Sequence, residues 1–331
     1  MKKLLIATTA LVAGASAAAA DVTISGYGRF GLEYIEDRGA GLENTQIASR
    51  LRMTLAATTE TDVGVTFGAR LRFQNSDSAS ETHGNQASFS VGYEGLNVQV
   101  GNVDTPWDSV GLTYNSEMGF QDVSFGDAQA KFFAYNSTGN GLEDGAGNSV
   151  DGYTGIAATY SISGVNLYFA YVDPSQSTDD LVGAGIVNSD GDAVTEEELS
   201  IAADWSNGQF AVAAAILKDG AGIADNDQFF LGAAYTFGDA NVGLNYYKYD
   251  NFDGAVGDDR DQFTLYGNYA FGATTLKAYV SEFDAAPGAS NDTAYGLGAD
   301  YALGEGARLS GAIESGFAGE NRAEVGVRFD F

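Results

Sequence analysis

Cysteine is absent from all 331 residues, so no disulfide framework holds this fold. Proline is nearly absent too, at three residues, and histidine occurs once, as His83 in the polar stretch Asn75–Gln86. With no cysteine, and with no Ser-His-acid set that can be assembled around His83, nucleophilic catalysis has no candidate centre. The glycine runs do not lie between a strand and a helix, which rules out phosphate-binding loops. Beyond Ala20 no apolar run approaches the roughly 18 residues of a membrane-spanning helix. Basic residues are also few, 16 Lys and Arg against 45 Asp and Glu, for a formal charge of −29. So acidic a chain is not expected to have a nucleic-acid partner. No catalytic residue is assigned, and the chain is not expected to be an enzyme.

What is abundant is glycine, at 44 residues, with 20 Phe and 18 Tyr, a composition suited to strands. The N-terminus reads as an export signal. Lys2 and Lys3 form its basic end, Leu4 to Gly14 the apolar run, and Ala18-Ala19-Ala20 the small-residue cleavage site. The expected organisation is a signal peptide over 1–20 and one structural unit over 21–331. Losing Lys2 and Lys3 makes the mature chain more acidic still.

The mature chain repeats one phrase, a strand with two unlike faces. From Val22 to Tyr34, Val22, Ile24, Phe30, Leu32 and Tyr34 share one phase, and Thr23, Ser25, Tyr27, Arg29 and Glu33 the other. Ile47 to Ala57 and Val63 to Phe73 alternate in the same way. A period of two over about ten residues is the length a tilted strand needs to cross a bilayer. In the second half, short turns alternate with long loops, and strands entering the short turns end alike: Tyr235-Thr-Phe237-Gly, Tyr269-Ala-Phe271-Gly, Tyr301-Ala-Leu303-Gly. Aromatics gathered at one rim predict an interfacial girdle. Short turns near 60, 95, 163, 207, 238, 272 and 305 join seven pairs of strands; the first and last strands complete sixteen. The fold class is therefore all-β, a 16-stranded antiparallel transmembrane β-barrel. The segment Gln129–Asn136 could pass for a strand, but it would break the even parity of such barrels. It is assigned to an inserted region of about 102–152.

That region begins with the one long interruption of the alternation, Asn102 to Asp127. It carries Asp104, Asp108, Glu117, Asp122 and Asp127, no Lys or Arg, and the apolar Pro106, Trp107, Tyr114, Met118 and Phe120. A long loop with its own apolar residues and one sign of charge predicts a functional insert folded into the lumen. Basic residues cluster elsewhere: Arg29, Arg50, Arg52, Arg70 and Arg72 lie on the polar phase of the first three strands. A hairpin turning at Glu60–Thr61 would set Arg50 opposite Arg72, and Arg52 opposite Arg70. The expectation is a basic strip on the lumen wall facing an acidic loop across water, with a field running across the pore. Divalent cations are candidates at acidic outer loops. Asn188 to Asp192 begins like a calcium loop, with Asp190 and Asp192 as candidate ligands, but Ala193 and Leu199 stand where such a loop needs Gly and Glu.

These features resemble the general diffusion porins of photosynthetic α-proteobacteria over essentially the whole mature chain. The motifs carrying the resemblance include GYGRFGLEYIEDRG (26–39), TTETDVGVTFGARLRF (58–73), SEMG (116–119), FFAYNS (132–137), TYSISGVNLYFAYVDP (159–174) and VGVRFDF (325–331). The resemblance implies a homotrimer in the outer membrane of a Gram-negative cell and a passive channel for small hydrophilic solutes. It implies surroundings of outer-membrane lipid and lipopolysaccharide, and no required cofactor. It places Arg29, Arg50, Arg52, Arg70 and Arg72 on the wall of the constriction and Asp104, Asp108, Glu117 and Asp122 on its loop. It also implies that Phe329 and Phe331 are read by the barrel-insertion machinery. A solute-selective porin, or a structural or adhesive barrel with a plugged lumen, are the alternatives. The first needs an aromatic path along the lumen; the second suits fewer strands than sixteen.

Overall fold

The computed structural model describes residues 21–39, 41–77, 82–135, 142–143, 153–176, 180–188, 191–284 and 292–331. The signal-peptide expectation for residues 1–20 lies outside the described residues. Sixteen wall strands run in chain order. They are β1 (Asp21–Ile35), β2 (Thr45–Glu60), β3 (Thr66–Ser76), β4 (Ser88–Tyr93), β5 (Leu96–Gly101), β6 (Thr154–Ile162), β7 (Val165–Asp173) and β8 (Glu198–Ser206). They continue as β9 (Phe210–Lys218), β10 (Asp227–Phe237), β11 (Ala240–Asp250), β12 (Arg260–Phe271), β13 (Thr274–Phe283), β14 (Thr293–Gly304), β15 (Ala307–Ser315) and β16 (Asn321–Asp330). Each pairs antiparallel with its chain neighbour, and β1 pairs with both β2 and β16, which closes the ring. A two-residue piece, His83–Gly84, pairs with Phe73 and Gln74 of β3, above the level at which β4 ends.

Closure gives each wall strand a neighbour on both sides, as a spanning sheet requires in hydrocarbon. The alternation decides which face is which. In β1 Ile24, Phe30, Leu32 and Tyr34 are exposed on the outside, whereas Arg29 is 7% exposed on the inside. The outer face repeats this all round, with Leu55, Phe67, Ile156, Phe169, Leu231, Leu265, Leu297 and Val325 exposed. A shift of one residue would put arginines in lipid at about 2–4 kcal/mol each near the midplane, so the phase is strongly fixed. At the short-turn rim the rings of Phe210 and Tyr235 lie 4.6 Å apart, Tyr235 and Phe237 5.7 Å, and Tyr269 and Phe271 6.2 Å. This is the girdle expected from the shared strand endings. Phe331 exchanges both backbone hydrogen bonds with Gly26, so the C-terminal residue helps to seal the last strand to the first.

One register differs from expectation. The β2–β3 connection is a five-residue turn, Thr61 to Val65, closed by the Thr61 and Val65 backbones and by the Thr61 hydroxyl. Gly64 takes the positive φ of 81° that the turn needs, and Val63 stands in the turn, exposed. Arg72 therefore lies opposite Thr54, Arg70 opposite Ala56, and Arg52 opposite Gln74. The tighter turn assumed from sequence misplaced the pairing; Arg50 finds its directly opposite like charge on β1, in Arg29, and Arg52 faces Tyr27.

Candidate functional site

The chain leaves β5 at Gly101, whose φ is 105°; a Cβ there would collide with the Ala87 carbonyl. It then crosses the lumen. Thr105 precedes a single helical turn, Pro106–Ser109, and its hydroxyl donates to the Phe133 carbonyl at 2.5 Å. Trp107 is 1% exposed and sits within 6.3–6.4 Å of the rings of Phe132, Phe230 and Tyr247. It belongs to one buried apolar cluster with Ala213, Ala215, Leu217 and Tyr249 from the wall. Neutral hydrogen bonds continue the seam. Asn245 Nδ2 donates to the Leu112 carbonyl at 2.8 Å, the Tyr247 hydroxyl to the Thr113 carbonyl at 3.0 Å, and the Thr264 hydroxyl to the Gly126 carbonyl at 2.8 Å. Gln262 Nε2 donates to the Asp127 carbonyl at 2.9 Å. Gln129 to Tyr135 runs in the same insert and forms no wall strand, as parity required. Its Phe133 N–H donates to the buried Glu198 carboxylate at 2.7 Å. The tip reaches the far wall, where Phe120 packs on backbone: a Cβ on Gly326 would come within 2.6 Å of its ring.

The inner wall beyond the tip carries a row of arginines. Arg308 of β15 is directly opposite Arg328 of β16, Arg328 opposite Arg29 of β1, and Arg29 opposite Arg50 of β2. Strands spaced at about 4.8 Å bring these four like charges into one line. Arg52 lies one pair along, opposite Tyr27. The loop answers part of the row. Asp122 gives one carboxylate oxygen to Arg308 and the other to Arg328, each at 2.5 Å. Arg29 donates to the Gln121 carbonyl, and Arg52 Nε to Gln74 at 2.8 Å. Arg70 pairs with Asp104 at 2.9 Å. Arg70 and Arg72 both stack on the Tyr135 ring, 3.8 and 4.2 Å from its centroid, and Arg72 donates to the Tyr135 carbonyl at 2.8 Å.

Of the four acids singled out from sequence, Asp104 and Asp122 thus meet arginines. Asp108 instead accepts from the Tyr114 hydroxyl at 2.7 Å. Glu117 presents its carbonyl, not its carboxylate, to Lys277 at 3.3 Å. Burial, helped by the Asp127 and Asp122 carboxylates, pushes Glu117 up to about 9. Burial pushes Asp127 up to about 7 against the hydrogen bond it accepts from Ser116. Asp108 is raised as well, chiefly by burial. The carboxylates that the loop turns to the wall arginines are those of Asp104 and Asp122. Arg308, Arg328 and Lys277 were missed in sequence, although their strand phase points inward. Tyr27 and Tyr135 were missed because contact with a guanidinium leaves no periodic signal. In the outer calcium-like segment, Asp192 pairs with Lys131 and accepts from Asn188. Asp190 lies outside the described residues.

The pattern described as Gram-negative porin matches residues 7–318. A protein named Porin from Fuscovulum blasticum is 55% identical over 314 residues, covering 94% of this chain and 100% of its own. Another named Porin, from Rhodobacter capsulatus, is 28% identical over 337 residues, with the same two coverages, 94% and 100%. Two solved structures of substituted Rh. blastica porins superpose with TM-scores of 0.80 and 0.81 at 55% identity, covering 94% of this chain and 100% of theirs.

Proposed function

The chain belongs to the Gram-negative porin family, and on that footing we propose that its lumen is a passive, water-filled path for small hydrophilic solutes with a field set across it at the loop. It is a multi-pass β-barrel of the Gram-negative outer membrane and a channel rather than an enzyme. The observation that supports the finer reading is the placement of the loop. It is docked on a neutral, aromatic side of the wall, so that the arginine row and the Arg70–Arg72 pair are left to face it. Inside low-dielectric walls, arginines on one side and Asp104 and Asp122 on the other focus a transverse field. A polar solute aligns with such a field; an apolar one must disturb oriented water. Passage of this kind requires no cofactor. Planar-bilayer recording tests it: large ohmic steps in salt, unaffected by added sugar, are expected. Saturable sugar block would favour a solute-selective porin instead.

A homotrimer is part of the same proposal. Strands β4 and β5 have six residues each, fewer than the roughly 9–11 that lipid-exposed spanning strands need. A neighbouring subunit covering that low stretch of wall removes the mismatch. Cross-linking in mild detergent should give three chains, and a fully conducting monomer would contradict this. Contacts with lipid and lipopolysaccharide belong to this assembled form, whereas the insertion machinery would read Phe329 and Phe331 before assembly. Calcium at the acidic outer loops would have to displace Lys131 from Asp192; insensitivity of the channel and its oligomer to a chelator would discard it.

A further inference from the structure

Asp122 shows what neighbouring members of the arginine row do with an oxyanion. Its two oxygens join Arg308 and Arg328, which are directly opposite on adjacent strands. The next members, Arg29 and Arg50, are directly opposite in the same way, and Arg52 is one pair further along β2. Among the described residues none of these three is within ion-pair distance of a carboxylate. Among the described residues, Arg29 has the Gln121 carbonyl and Arg52 the Gln74 side chain as hydrogen-bond acceptors. The Nε of Arg50 is buried without a partner. Arg29, Arg52 and Arg328 gather around the Tyr27 ring, and Arg50 hydrogen-bonds the same phenol. The guanidinium carbons of Arg52 and Arg29 lie 5.4 and 5.8 Å from the Tyr27 ring centroid, and that of Arg328 lies 4.0 Å from it.

We propose that Arg29, Arg50 and Arg52, grouped around Tyr27, form a phosphoryl-binding site on the lumen wall. The inference rests on the channel reading, since a solute reaches these side chains only from the lumen. Three like charges held together on one patch disfavour the sheet unless an anion or water compensates them. The patch is built from arginine, whose planar fork matches phosphate oxygens two at a time, rather than from the point charge of lysine. A chloride ion can accept at one point and a carboxylate at two oxygens. A phosphate dianion offers more oxygens and twice the charge, so it can engage forks on β1 and β2 together. The site holds the phosphoryl group for part of its passage; both inorganic phosphate and small phosphomonoesters carry the group it recognises.

Inorganic phosphate is added to single channels in potassium chloride, with acetate as the comparison anion. The expected result is a chloride current that falls saturably with phosphate and much less with acetate. Arg50→Gln and Arg52→Gln should each raise the half-saturating phosphate concentration by about tenfold, the loss of one charge-assisted contact. Arg52→Lys, which keeps the charge and loses the fork, should fall between Arg52→Gln and the parent. It also serves if a Gln variant does not assemble. A current that responds to phosphate no more than to acetate would overturn the site. So would saturation unchanged in the arginine variants. Either result leaves the porin reading intact, provided ohmic steps are present in chloride alone; absence of those steps would instead strike the channel reading.

Discussion

Strands β9 to β12 and strands β15, β16, β1 and β2 offer the same loop two opposite interiors. The first group points Ala213, Ala215, Leu217, Phe230, Tyr247, Tyr249, Gln262 and Thr264 inward, and all are buried. The second points Arg308, Arg328, Arg29, Arg50 and Arg52 inward. Neutral aromatic and amide side chains pack against the loop and hydrogen-bond its backbone carbonyls, and the contact is buried. Guanidinium groups resist that, because stripping their water costs several kcal/mol per charge unless an acid meets them. Only the tip, with Gln121, Asp122 and Phe120, reaches the charged side. One side therefore decides where the loop lies, and the other decides what passes beside it.

The largest effect should come from breaking the buried side. Trp107→Ala removes the central anchor, a change worth about 3–5 kcal/mol in a well-packed core. The barrel ladder does not depend on it, so strand content should stay while the loop is freed. Limited proteolysis between residues 102 and 135, with noisy and enlarged conductance, is the expected outcome. A quiet, protease-resistant channel would place the anchoring elsewhere.

Next comes the charged side. Asp122→Asn leaves Arg308 and Arg328 without their shared carboxylate. For a partly exposed pair the change should move the anion-to-cation permeability ratio about two- to fivefold toward anions. Reversal potential in a salt gradient measures it, and a shift toward cations would contradict the assignment of Asp122.

A smaller, graded effect should follow pH. Glu117 titrates near 9 instead of 4.5, and Asp127 near 7 instead of 3.8. Each pKa is raised in the folded loop, so between its unfolded and folded values the folded loop binds more protons. The docked loop therefore loses stability as pH rises through that window. The same ionisation adds negative charge to the loop. Selectivity should drift toward cations from about pH 6 to 9.5, and Glu117→Gln should flatten the upper part of the drift. A drift toward anions would contradict the two carboxyls as its source.

Most of the barrel was legible because its determinant is local. Alternation over ten residues, as in Ile24 to Tyr34, fixes a strand and its lipid face without knowledge of any partner. Parity then kept Gln129–Tyr135 out of the wall. The β2–β3 register was not legible, since it hangs on whether the turn holds two residues or the five from Thr61 to Val65. The arginine row was half legible. Arg29 and Arg50 lie on consecutive strands, but Arg328 joins them only because the last strand closes on the first, some 300 residues away. The loop acids were visible as charges; that Asp108 would turn to Tyr114 and Glu117 would bury its carboxyl depends on packing no periodicity records.

The most direct test of the divided lumen is the double variant Arg70→Ala/Arg72→Ala, recorded for single-channel conductance and reversal potential together. Both side chains point into the lumen, where substitutions leave the barrel standing. Their removal frees Asp104 and strips two stacked guanidiniums from the Tyr135 ring. The account predicts a wider channel that is more selective for cations. An assembled double variant with both quantities unchanged would contradict it, because the wall arginines would then lie away from the path of the ions.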